Sequence, residues 1–309
     1  MLLPYAVVFR LHGLMYPTSY PLGEGSTFYR FAFGWIHGNP MIEQVVGILI
    51  VFFQAVWINR IMIQHRLSRE NTLFAGVFYI LLVSLTPAQL GLNPSLIGGF
   101  AFIIVLDDIL RIYLKKEVAS ELFNYGFGLG LAWLIYPPYF VLLLSIFAAI
   151  AIMRSLNIRE ILQWAGGVIS ILFLSLMAYS YVGDWYEMVH DLVQWNPSNL
   201  LSWQVNDWRH WVYLAIVVLA VVIIVLNSNL LNRGIAYKER KKWKVIYWVL
   251  LLSFFSVFSG LKVEWDRMDL IAIPLSMLLG AVAANSKRTI VVEFLHILIF
   301  ITVLFLQFN

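Results

Sequence analysis

Eleven stretches of mainly apolar residues divide this chain, at roughly 1–16, 41–60, 72–90, 96–113, 120–136, 138–154, 164–183, 209–227, 245–261, 268–284 and 289–307. A helix needs about 20 such residues to cross a hydrocarbon core. Inside hydrocarbon every backbone polar group must be bonded within the protein, so spanning segments of this kind are helices. The pattern predicts an all-α, polytopic transmembrane helical bundle of ten or eleven spans. Several stretches are short, which predicts tilted, re-entrant or broken helices packed inside the protein. Residues 1–309 read as a single membrane domain, with no internal repeat, low-complexity tract or soluble domain.

Composition points the same way. The chain is 61% hydrophobic and 12% charged, with a mean hydropathy of +0.82. A water-soluble domain is about 25% charged, so too few charges exist here to cover a water-facing surface. With no cysteine, disulfides, cysteine-ligated zinc, iron–sulfur clusters and thiol nucleophiles are excluded. A net charge of +4 reflects loop placement, and no nucleic-acid partner is expected. Met1 to Tyr16 reads as a first helix and not as a cleaved leader: no lysine or arginine precedes it and no small-residue cleavage site follows.

Orientation follows from lysine and arginine. Taking alternate loops, one side holds 16 of the 21 basic residues, among them Arg60, Arg111, Lys115, Arg154 and the run from Lys238 to Lys244. The other side holds Arg10, Arg30, Arg209, Lys262 and Arg267. The positive side faces the cytoplasm in multi-pass proteins. The expected location is a bacterial inner membrane, with the N-terminus cytoplasmic.

The outer loops, about 17–40, 184–208 and 262–267, differ in character from the basic ones. The first is rich in glycine, proline and aromatic residues. The second carries Trp185, Tyr186, Trp195, Trp203 and Trp208, ring types that favour the headgroup level. It reads as an interfacial helix or, alternatively, as a wall of a lipid-substrate groove.

Candidate chemistry lies in these loops. Glu24, between Gly23 and Gly25, is an accessible carboxylate suited to a general base, or a solvated loop acid; Arg30 and His37 follow it. Lys262, Glu264, Asp266 and Arg267 set four charges in six positions between two apolar helices. Lys262 and Arg267, with Arg30, suit a phosphate or pyrophosphate, or they pair locally with the acids. Of Asp184, Glu187, His190 and Asp191, Glu187 and Asp191 share a helical face and His190 is three after Glu187, as an exposed acidic helix turn or as carboxylates and imidazole that could ligate a metal. Asp266, Glu264 and His190 are the candidate ligands for a divalent metal, the one cofactor considered. On the basic side, Asp107 and Asp108 fit local pairing with Arg111, or an intramembrane proton or ion site.

Phe127-Gly128-Leu129-Gly130-Leu131-Ala132-Trp133-Leu134, then Tyr136-Pro137-Pro138 and an apolar run to Arg154, resemble the core of GT-C-type glycosyltransferases, the polytopic enzymes that use polyprenyl-phosphate-linked sugars. Arg267 to Ala284, with Pro274 before a small-residue run, looks like a late helix of that group. The whole chain is also similar to a family of Bacteroidota polytopic inner-membrane proteins of comparable length. Phe123-Asn124-x-Gly126-Phe127 and Arg154-Ser155-x-Asn157-x-Arg159-Glu160 carry that second resemblance, which brings no activity with it.

The GT-C resemblance implies transfer of a sugar from a polyprenyl-phosphate donor at the outer face, with Glu24 as the catalytic base. A lone glutamate departs from that group's usual aspartate or paired acids, and no extra-membrane acceptor domain is present. Two alternatives therefore stand beside it. One is a non-catalytic inner-membrane subunit of a cell-envelope assembly, with membrane-protein partners. The other is a lipid or solute transporter.

Overall fold

The computed structural model describes residues 1–17, 26–68, 70–85, 90–113, 115–154, 157–182, 185–193, 208–228, 237–258, 268–286 and 289–308. Every regular element among them is helical. In chain order these are α1 (Leu2–Val8), α2 (Leu11–Met15), α3 (Thr27–Phe33), α4 (Pro40–Gln64), α5 (Phe74–Val83), α6 (Pro94–Arg111) and α7 (Ala119–Ile135). A 3-10 helix at Pro137–Leu144 then runs into α8 (Ser145–Met153). There follow α9 (Ile158–Val182), α10 (Trp185–Val193), α11 (Trp208–Leu226), α12 (Tyr237–Phe258), α13 (Met268–Asn285) and α14 (Thr289–Phe308).

Three of the described helices are long and apolar enough to cross a membrane: Pro40–Gln64, Ile158–Tyr181 and Met268–Asn285. Shorter apolar helices cover 74–83, 137–153, 211–226 and 292–308. Sequence stretches therefore outnumber long helices, for identifiable reasons. The first stretch breaks at Phe9 and Arg10 into two short helices. The returning stretch after Tyr136 starts as 3-10 because Pro137 and Pro138 cannot donate a backbone hydrogen bond. In α6, Asp107, Asp108 and Arg111 occupy the last turns.

Local signals set the helix starts. Asn39 and Asn93 each precede a proline at the first helical position, and each side chain accepts from a backbone N–H three residues on. Asparagine caps a free N–H, a contribution of about 1 kcal/mol, and proline's fixed φ suits the position that follows. Ser26 caps α3 in the same way, accepting from the Tyr29 N–H.

The helix α13 is buried along nearly all of its length, whereas α9 lies at the periphery with Ile169, Phe173, Leu174 and Met177 outward. A helix apolar on all sides belongs at the centre of a bundle. Small residues let backbones meet there and elsewhere. A Cβ added at Gly280 of α13 would lie 2.6 Å from Ala75 Cα of α5. Where α7 meets α9, a Cβ on Gly126 would lie 2.1 Å from the Trp164 carbonyl oxygen, and one on Gly167 2.1 Å from that of Phe123. The glycine-rich run of α7 is thus a helix-packing surface.

Long-range hydrogen bonds give the bundle two ends. At one, Gln307 Nε2 donates to the Ser84 carbonyl at 3.0 Å, and Ser26 Oγ to those of Leu134 and Ile135. At the other, Arg154 donates to the Ile112 and Lys115 carbonyls, and His65 meets Asp107. Successive long elements run in opposite directions between them. Arg111, Lys115, Arg154 and Lys242 gather at the second end, as the alternation of basic loops predicts. The first is called here the Arg10 end, the second the basic end.

Candidate functional site

At the Arg10 end the break between α1 and α2 turns Arg10 inward, where it is 0% exposed. Its guanidinium donates to the Leu90 carbonyl. Asp269, in the first turn of α13 and also buried, adds a favourable negative charge to its surroundings. Nε and Nη2 of Arg10 have no hydrogen-bond partner among the described residues. An ion taken out of water costs several kcal/mol unless its donors are satisfied, so this arrangement is expensive and specific.

Polar groups from six elements surround it. Tyr79 of α5 donates to Gln54 Oε1 of α4 at 2.7 Å, and Gln54 Nε2 donates to the Leu96 carbonyl of α6 at 2.8 Å. Tyr139 of the 3-10 helix donates to the Ser95 carbonyl at 3.2 Å, and Tyr213 of α11 to that of Met268 at 3.4 Å. All three tyrosines are buried. Gly99 admits this cluster: a Cβ there would stand 3.0 Å from the Tyr139 hydroxyl and 3.2 Å from Gln54 Nε2.

A second arrangement at this end joins a phenol, an imidazole and a carboxylate. Tyr29 Oη and His37 Nε2 are 2.8 Å apart. His37 Nδ1 lies 3.2 Å from Glu43 Oε1, inside ion-pair distance though not aligned as a hydrogen bond. Both side chains are almost fully buried. Imidazole held between a carboxylate and a hydroxyl is a constellation capable of acid–base work.

The loop residues expected to carry chemistry meet mixed outcomes. Glu24, Lys262, Glu264, Asp266 and Arg267 lie outside the described residues. Arg30 is described and half-exposed, with Nη2 3.9 Å from Glu187 Oε2, which ties α3 to α10. His190 stacks on Tyr186 at 6.3 Å. Among the described residues no three histidine, aspartate or glutamate side chains gather to hold a metal ion. Arg30 of α3 and Glu187 of α10 are thus neighbours.

At the basic end Asp107 pairs with Arg111 in the expected i,i+4 spacing, while Asp108 turns to Asn124 of α7. Two further partners were not anticipated. His65, capping the end of α4, places Nε2 2.6 Å from Asp107 Oδ1, and Lys242 Nζ of α12 lies 2.9 Å from His65 Nδ1. The Arg154-to-Glu160 motif also acquires a role. Arg154 donates to Glu160 Oε1 at 2.9 Å and to carbonyls just beyond α6, locking α9 to the end of α6.

No protein-family model, curated protein or solved structure matches this chain.

Proposed function

We propose that this chain is a multi-pass inner-membrane protein, crossing ten or eleven times with its basic end cytoplasmic, that acts on a polyprenyl-phosphate-linked substrate at the Arg10 end. Its leading form is a GT-C-like glycosyltransferase. The observation that carries this reading is Arg10: a guanidinium buried among apolar helices, with donor capacity left over, suits a phosphate at the membrane surface. Tyrosines and Gln54 around it supply fixed neutral dipoles.

In the transfer step the acceptor hydroxyl oxygen attacks the anomeric carbon. The bond from that carbon to the phosphate oxygen breaks, and the polyprenyl phosphate leaves with the electron pair. The acceptor proton goes to Glu24, the base expected from the first outer loop. Fixed positive charge from Arg10, Lys262 and Arg267 favours the developing phosphate charge.

Binding is tested first. The purified chain is placed in nanodiscs containing a polyprenyl phosphate, and separately in nanodiscs containing phosphatidylglycerol alone. Specific recognition stabilises the fold by about 2.7 kcal/mol at a hundredfold excess over Kd, and only with the polyprenyl phosphate. Equal stabilisation by both lipids overturns specific recognition. Transfer is then tested with Glu24→Gln, which is expected to abolish it at unchanged folded yield. Full activity in Glu24→Gln rules out this base.

A further inference from the structure

At the basic end, four charged or titratable side chains form one chain of contacts: Lys242, His65, Asp107 and Arg111. The distances are 2.9 Å from Lys242 Nζ to His65 Nδ1 and 2.6 Å from His65 Nε2 to Asp107 Oδ1; Arg111 closes on Asp107 Oδ2. His65 and Asp107 are each 4% exposed and Lys242 is 7% exposed. They come from the end of α4, the last turns of α6 and the start of α12, elements far apart in sequence.

The hydrogen-bond geometry limits where the protons can be. An ammonium has donors only, and a carboxylate has acceptors only. With Lys242 donating to Nδ1 and Asp107 accepting from Nε2, the imidazole between them must be neutral, with its single proton on Nε2. A second proton on the ring would set an N–H against the lysine N–H groups. One of the two would have to lose its proton or move away. The contact between Lys242 and His65 therefore requires the two groups to share a single positive charge.

We propose that His65 is a proton-binding site in which Asp107 sets the imidazole tautomer, and in which proton uptake releases Lys242 and the start of α12 from α4. The group that takes the proton is Nδ1. The bond broken is the hydrogen bond from Lys242 Nζ. The ligand is a proton from the aqueous phase at the basic end, where Arg111 is partly exposed beside Asp107.

Among the described residues, further charges face this site. From α6, Arg111 faces Asp107, and Asp108 is engaged with Asn124 on α7. From α12, Glu239 and Lys238 lie near Lys242. Lys241 does not enter the chain of contacts. Its ammonium sits over the Tyr113 ring at 5.1 Å and the Tyr237 ring at 5.5 Å, a contact that holds α12 against the end of α6 independently of His65. Burial favours the neutral imidazole, in keeping with the geometry.

This site is separate from the Arg10 end and does not depend on the transferase reading. It is tested on the full chain, labelled with nitrogen-15 histidine and held in nanodiscs, by following each imidazole through a pH titration. The chain has six histidines. The one whose signal changes most in Lys242→Met is His65, and Lys242→Gln serves if that variant does not fold. At neutral pH the wild-type His65 is expected as the Nε2–H tautomer. Its titration midpoint rises when Lys242 is replaced, because removing the ammonium frees Nδ1 to take the proton. A wild-type His65 carrying its proton on Nδ1 overturns the proposal. So does a midpoint that is unchanged in both Lys242 variants.

Discussion

The ammonium of Lys242 and the Nδ1 atom of His65 meet at 2.9 Å, although the two residues stand 177 positions apart. The contact joins the start of α12 to the end of α4 through a ring already held by Asp107. Because each member needs the others to satisfy a buried polar group, the cluster stands or falls together.

Asp107→Asn is expected to destabilise the fold strongly. Losing the carboxylate leaves His65, Lys242 and Arg111 without their shared anion, and breaking a buried pair on one side costs about 3–5 kcal/mol. Asp108→Asn, one position on and bonded to an asparagine, is expected to cost much less. Thermal unfolding of both variants in one detergent checks the difference. Equal losses mean that the two aspartates are not distinguished by their partners.

Stability is expected to depend on pH through His65. Burial lowers its pKa, its hydrogen bond to Asp107 opposes that, and the Lys242 charge adds to the lowering. An unfolded histidine titrates near about 6.5. Just below that pH the unfolded chain binds a proton that the folded chain does not, so stability rises with pH there. The contribution is fully present above the unfolded value and is lost as pH falls through the folded one. Replacing His65 by glutamine is expected to flatten this slope in unfolding midpoints measured from acid to neutral pH.

Gly166 and Gly167 give a paired test of helix contact. A Cβ on Gly167 meets the Phe123 carbonyl oxygen at 2.1 Å, whereas one on Gly166 meets nothing within 4 Å. Gly167→Ala must push α9 away from α7, and overpacking of this kind costs about 1–3 kcal/mol. Gly166→Ala gains the better helix propensity, up to about 1 kcal/mol. Opposite signs in the two unfolding shifts are expected, and a common sign contradicts the close α7–α9 approach.

Much of the architecture was legible because it rests on local patterns. The apolar stretches at 120–136 and 138–154 correspond to α7 and to the 3-10 helix with α8, with the Pro137-Pro138 break where the sequence places it. Basic residues assigned to alternate loops gather at one end. The Asp107–Arg111 pair follows from i,i+4 spacing. Partners from distant helices were not legible. Nothing in the local sequence of His65 or Lys242 announces the other, and Arg10 reads as an arginine inside a short apolar run. In the sequence His37 reads only as a residue near Arg30, since its tie to Glu43 depends on how the chain turns before Pro40. Asn39-Pro40 and Asn93-Pro94 were available as helix-start signals, and they mark the ends of α4 and α6 that face the Arg10 cluster.

The Arg10–Asp269 pair separates a structural role from a binding role. Arg10→Met takes the donor from the Leu90 carbonyl and a favourable charge from the surroundings of Asp269, and is expected to cost about 1–3 kcal/mol. Adding Asp269→Asn removes the second charge, and the part of that loss recovered in the double variant measures how strongly the two residues couple. Lipid binding should not recover. If Arg10 anchors a phosphate, the double variant folds but is no longer stabilised by polyprenyl phosphate, while Arg10→Lys retains a weaker response. Unfolding midpoints of the four proteins, with and without the lipid phosphate, supply both readouts. A double variant that is stable and still responds fully to the lipid places Arg10 in the scaffold alone and moves the search for the phosphate anchor to Lys262 and Arg267.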